Sequence, residues 1–105
     1  MAPPAERPAG AVTTLVNDVE LVVRISGEVD LFLKPELEAA VKRVIGYHGR
    51  VLVDLAGVTF CDATLAGFLS ETSDQAPVSV RAPSQLVREF LVLYGLARRV
   101  HLAVD

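Results

Sequence analysis

The feature that most constrains the fold is an alternation between two hydrophobic periods along the chain. Short β-branched runs occupy residues 11–16 (AVTTLV), 20–26 (ELVVRIS), 50–55 (RVLVDL) and 77–82 (PVSVRA). Between the later runs lie segments whose apolar residues recur at helical spacing, over residues 36–46, 63–72 and 85–94. Strands separated by helices need crossover connections, which make parallel neighbours. The first two runs are separated only by Asn17 and Asp18, whose side chains favour turns, so they read as an antiparallel pair. The predicted fold is therefore α/β, a small and mainly parallel mixed sheet flanked by helices in the order β-β-α-β-α-β-α.

Local signals place the boundaries. In the second run Leu21, Val23 and Ile25 share one face, opposite Val22 and Arg24. Gly27 is expected to break that strand, with residues 27–30 (GEVD) forming a loop. Pro35 suits a first helical turn, where its missing N–H would be unpaired anyway, and Gly46 and Gly49 supply the stop. The stripe in between is Leu37, Ala40, Val41, Val44 and Ile45, with Lys42 and Arg43 opposite. Residues 50–55 suit a central buried strand, Ala56–Gly57 a turn, and residues 58–60 an extended continuation. Asp62 stands as N-cap of a helix with Leu65, Ala66, Phe68 and Leu69 on its apolar face. Ser84 caps the last helix, whose expected core stripe is Leu86, Val87, Phe90, Leu91 and Tyr94, ended by Gly95. Residues 96–105 can hold a short turn and an extended edge segment over 100–104. Residues 1–10 (MAPPAERPAG) read as a flexible tail, and residues 11–105 as one domain.

Composition narrows the function classes. A chain of 105 residues, 51% hydrophobic and 22% charged, makes one globular domain. It buries roughly two-thirds of its unfolded surface without needing a metal or disulfide. Aromatics are 6% and Trp is absent, so Leu, Val and Ala fill the core. The net charge of −3 argues against a nucleic-acid partner, and the pairs Lys42–Arg43 and Arg98–Arg99 are too short to reverse this. Cys61 is the only cysteine, which precludes an intramolecular disulfide and fits a reducing cytoplasm. No basic-then-apolar leader and no apolar run of about 18 residues is visible, so direct membrane insertion is not expected. His48 and His101 have no Cys or carboxylate at ligand spacing, so neither metal nor other cofactor is expected. No Ser/His/Asp set or Gly-rich phosphate loop can be assembled, which argues against an enzyme.

Three stretches, in order, resemble the STAS family, named for sulfate transporters and anti-sigma factor antagonists. Residues 25–37 (ISGEVDLFLKPEL) resemble its L-x-G-E-L-D…PEL segment. Residues 53–67 (VDLAGVTFCDATLAG) resemble L-D-L-S-G-V-x-F-I-D-S-S-G-L-G. Residues 82–96 (APSQLVREFLVLYGL) resemble the closing P-S-x-x-V-x-x-x-L-x-x-x-G-L helix. The resemblance implies a regulatory domain that binds an anti-sigma factor or a related kinase-like regulator in a partner-switching pathway. In antagonist members the Ser after the motif Asp is phosphorylated, and phosphorylation releases the partner.

The resemblance places Asp62 at the motif Asp, Ala63 at the phospho-Ser position and Thr64 at the second Ser. Leu65 replaces the first motif Gly, and Gly67 matches the second. Ala63 has no hydroxyl, so the domain is expected to be either constitutive or switched at Thr64. Thr64, a candidate phospho-acceptor, lies in a first helical turn where free N–H groups and the helix dipole favour a phosphate. Its plain alternative is an ordinary early-helix residue. Asp62 is read first as an N-cap and second as a functional carboxylate. Glu28 and Asp30 would form an acidic rim with Asp62, against the alternative of a solvated turn. The expected partner-binding set is thus Glu28, Asp30, Asp62, Ala63 and Thr64. At least one of Leu31, Phe32 and Leu33 is expected to point outward. Cys61 sits where a helix N-terminus can lower a thiol pKa, but burial as a small hydrophobe is the preferred reading. An alternative function from another class is a non-phosphorylated subunit of a transport or scaffold complex. Weak nucleotide binding belongs to the family more broadly, and no residue here supports it independently.

Overall fold

The computed structural model describes residues 9–81 and 84–103. Residues 1–8 of the tail expected over 1–10, and the strand ends expected at Ala82 and Val104, lie outside the described residues, whereas Gly10 opens the first strand. β1 (Gly10–Val16) and β2 (Glu20–Val29) form the expected antiparallel hairpin. Asn17 closes it, because its Oδ1 accepts the N–H groups of Val19 and Glu20, both at 2.9 Å. A single 3₁₀ turn, Leu31–Leu33, leads into α1 (Lys34–Gly46), and then come β3 (Arg50–Cys61) and α2 (Ala63–Gln75). β4 (Val78–Arg81), α3 (Gln85–Leu93) and a two-residue β5 (His101–Leu102) complete the order. The five strands lie in the sheet in sequence order, with every pair after β1–β2 parallel.

One face of the sheet carries the core. Leu21, Val23, Ile25, Val51, Val53, Leu55, Val78 and Val80 join one apolar cluster with Leu37 and Val41 of α1, Leu65 and Phe68 of α2, and Val87 and Leu91 of α3. The intervening strand residues are outside that cluster. Sequential parallel strands joined by right-handed crossovers put every connecting helix on the same side, which explains the division. Three positions expected in the core are therefore out of it: Ile45, Leu86 and Tyr94 are exposed. A helix in a single layer buries only the stripe facing the sheet, and these residues lie beyond its margin.

Two expectations about breaks are also corrected. Gly27 does not end β2, which continues to Val29, and residues 27–29 are strand rather than loop. Gly27 has φ 76° at a register shift in the ladder, and a Cβ there would lie 2.5 Å from the Ala9 carbonyl oxygen. Glycine is required by both conformation and space. Ala56–Gly57 likewise does not turn the chain; β3 runs unbroken from Arg50 to Cys61. The sequence signal was real in both places, but it marks bulges rather than ends.

On the sheet face without helices, Arg24, Asp54 and Arg81 stand level on three adjacent strands. Asp54 is buried, and its Oδ2 accepts from Arg24 Nε at 3.3 Å and Arg81 Nη1 at 3.2 Å. Its Oδ1 accepts the Ala56 N–H at 3.0 Å. Burial pushes this carboxyl up, but the Ala56 N–H and the two guanidinium groups outweigh it and hold the pKa below the ordinary 3.8. A depressed folded pKa gives stabilisation that is fully present above the unfolded value and lost as pH falls through the folded one. Asp54→Asn should therefore unfold more easily than the parent by about 1–2 kcal/mol at pH 7, since both arginines remain partly solvated. Urea titrations at a series of pH values should show that difference shrinking below pH 3.8.

Candidate functional site

The site is built by two strand ends that finish side by side. Val29 pairs with Cys61 at the carboxyl ends of β2 and β3, and the Asp62 N–H donates to the Val29 carbonyl at 3.2 Å. Asp30 and Asp62 then leave the sheet in closely matched extended conformations, with φ/ψ of −136°/−170° and −131°/−162°. Each caps the helical turn that follows it. Asp30 Oδ1 accepts the Phe32 N–H at 3.0 Å, and Asp62 Oδ1 accepts the Thr64 N–H at 2.8 Å. The N-cap role expected of Asp62 is thus directly visible, and Asp30 has the same role.

The structure brings Asp30, Asp62, Ala63 and Thr64 together. Ala63 is exposed at the first position of α2, while Asp62 and Thr64 are half-buried. Glu28 is exposed near the end of β2 opposite Phe60, so it approaches from a strand within the sheet and not from a loop. Of the apolar triplet, Leu33 is buried, whereas Leu31 and Phe32 are 68% and 57% exposed. Two apolar side chains therefore flank the acidic strand ends.

Thr64 opens onto a groove between α1 and α2 with a volume of about 740 Å³. Its floor includes Leu37, Val41 and Phe68, and its rim includes Lys34 and Glu71. Gly67 belongs to the same wall, and a Cβ added to it would meet nothing within 4 Å. This glycine keeps the wall low and is not there to satisfy backbone strain. The groove was not legible from the sequence, because it depends on how α1 and α2 splay. The exposed Lys34 and Glu71 carry no local pattern that would have singled them out.

Cys61 is half-buried against the core, and burial, followed by the neighbouring Asp62 charge, pushes its thiol up. That is the opposite of a reactive thiolate and agrees with the small-hydrophobe reading. Among the described residues no group of three or more His, Cys, Asp or Glu side chains is placed to hold a metal ion. No helix among them is long and apolar enough to cross a membrane.

The element order, the capped start of α2 and the paired acidic strand ends are those of a STAS-type fold. The family model described as Mlab, STAS domain matches residues 12–103, and the chain belongs to that family. An anti-sigma factor antagonist from Mycobacterium paratuberculosis has a similar structure: TM-score 0.77, 24% identity, 100% of this chain and 92% of that one covered. The anti-sigma factor antagonist SpoIIAA in its unphosphorylated form gives a TM-score of 0.66 at 16% identity, covering 90% of this chain and 89% of the other. The Bacillus cell fate determinant SpoIIAA in the phosphorylated form gives 0.63 at 18%, covering 90% and 93%. At these identities the likeness establishes the fold. No curated protein sequence matches the chain significantly.

The cap gives the first test of the site. Asp62→Ala should lower stability by about 1 kcal/mol in urea unfolding, while Asp62→Asn, which keeps the accepting oxygen, should lose only a fraction of that.

Proposed function

We propose that this chain is a regulatory protein-binding domain, not an enzyme: an anti-sigma factor antagonist of a partner-switching pathway, acting in the cytoplasm. It docks an anti-sigma factor or a related kinase-like regulator through the start of α2 and the adjacent acidic strand end. The observation that carries this reading is the position of Ala63 and Thr64. They stand at the surface end of a capped helix, beside an apolar-floored groove and the exposed Leu31 and Phe32. Docking surfaces commonly combine apolar anchors with a polar rim, and this region has both. Family membership and structural neighbours described as anti-sigma factor antagonists support the same class.

Control of this surface takes one of two forms. Ala63 occupies the position where the resemblance places a phospho-Ser, so the domain either binds constitutively or is switched at Thr64. A phosphoryl group adds about −1.5 to −2 charge, enough to disrupt an apolar contact. A second reading, a non-phosphorylated subunit of a transport or scaffold complex, is favoured by the missing hydroxyl at Ala63.

Binding to a histidine-kinase-like anti-sigma factor should be measurable by calorimetry. Ala63→Glu should weaken it about tenfold or more by placing charge in the contact. Equal affinity for parent and variant would remove the α2 start from the interface. Intact-mass spectrometry after incubation with that partner and ATP tests the switch. A gain of one phosphate in the parent but not in Thr64→Ala assigns the acceptor. A gain in both proteins excludes Thr64, and no gain in either supports the constitutive form.

A further inference from the structure

The two edges of the sheet are treated differently. At one edge β5 is only two residues long, which leaves little backbone for another strand to pair with. At the other, β1 runs for seven residues, GAVTTLV, with no charged residue, no proline and no register shift against β2. Short length, charge, proline and bulges are the devices that stop an edge from recruiting a further strand. β1 carries none of them. Among the described residues it pairs only with β2, so its outer row of N–H and C=O groups has no strand partner.

The side chains of β1 point to what would fit there. Leu15 and Val16 are 62% and 49% exposed, and as successive strand residues they project from opposite faces. A helix or loop resting on one face could cover only one of them, whereas a neighbouring strand flanks both. The strand also complements itself. In an antiparallel pairing centred on Thr13, Leu15 of one copy faces Ala11 of the other, Val16 faces Gly10, and Val12 faces Thr14. The large residues meet the small ones, and no charge is buried. Such pairing is isologous and closes as a two-fold dimer, leaving no further long edge.

We propose that β1 is a homodimerisation edge, which joins two copies of this chain through antiparallel β1–β1 pairing into one continuous sheet. This surface lies apart from the start of α2, so it does not depend on the reading of that site.

The test uses the full chain. Sedimentation equilibrium across a concentration series should reach twice the 11.3 kDa of one chain. Thr13→Lys sets like charges face to face at the dyad and should raise the dissociation constant at least about fivefold. Leu93→Lys, a charge of the same sign on the exposed apolar face of α3, should leave it unchanged. In the parent, hydrogen exchange at β1 amides should slow as concentration rises, a readout that requires no variant. A monomer at every concentration overturns the proposal. So does a dimer broken by Leu93→Lys but not by Thr13→Lys, or one without concentration-dependent protection at β1.

Discussion

The Asp54 carboxylate combines two functions that would ordinarily need separate groups. One oxygen takes the Ala56 N–H where β3 bulges, and the other takes the guanidinium groups of Arg24 and Arg81 on the strands to either side. A bulge displaces a backbone donor from the ladder, and a displaced donor must find a partner elsewhere. Because Asp54 supplies it, β3 can use two more residues than β2 between the Arg24–Asp54 pair and the Val29–Cys61 pair. The strands nevertheless end level. The ion pairs across three strands hold this part of the sheet in register while the bulge shifts the part beyond it.

The position of α2 follows from that irregularity. Since β2 and β3 finish together, Asp30 and Asp62 leave the sheet as neighbours and each caps a helical turn in the same way. The one-sided packing of the helices then decides what is left open. α1 and α2 cover the core from the same side, and the groove between them begins at the capped end of α2. Among the described residues the opposite face carries no helix, so Arg24 can remain largely in water while neutralising a buried carboxylate. Partial solvation lowers the strength of each ion pair but also avoids the desolvation cost of burying all three charges.

These relations divide what the residues disclose from what they conceal. Caps and starts were legible: Asp62 and Ser84 were named as N-caps, and each accepts a helix N–H as expected. The hairpin at Asn17 was legible for the same reason, because a short polar side chain bonds its own backbone. Gly27 and Ala56–Gly57 mislead because a glycine that ends a strand and one that bulges it give the same local signal. Only the partner strand tells them apart. Ile45, Leu86 and Tyr94 were assigned to the core by period, but period does not say how many layers cover a helix. The Arg24–Asp54–Arg81 row is not legible in the sequence because it is a property of register between strands, although Arg24 does lie on the face expected opposite Leu21, Val23 and Ile25. The likeness to the family supplied the site itself; nothing in the periodicity would have drawn attention to Ala63.

The cap also bears on how a switch at this helix would act. Asp62 already presents its carboxylate to the Thr64 N–H, one of the donors that a phosphate at a helix N-terminus would seek. A phosphoryl group on the Thr64 hydroxyl would sit beside that carboxylate, so attraction to the helix dipole would be opposed by like-charge repulsion at close range. Thr64 is also half-buried on the wall of the groove, where a doubly charged group gives up part of its hydration. Both effects favour a rearranged first turn in a phosphorylated form, with Asp62 moved off its donor. An exposed serine in place of Ala63 would avoid the second cost, since that position faces solvent. The alanine in this chain offers no hydroxyl at the exposed position, and Thr64 offers one only on the half-buried wall of the groove.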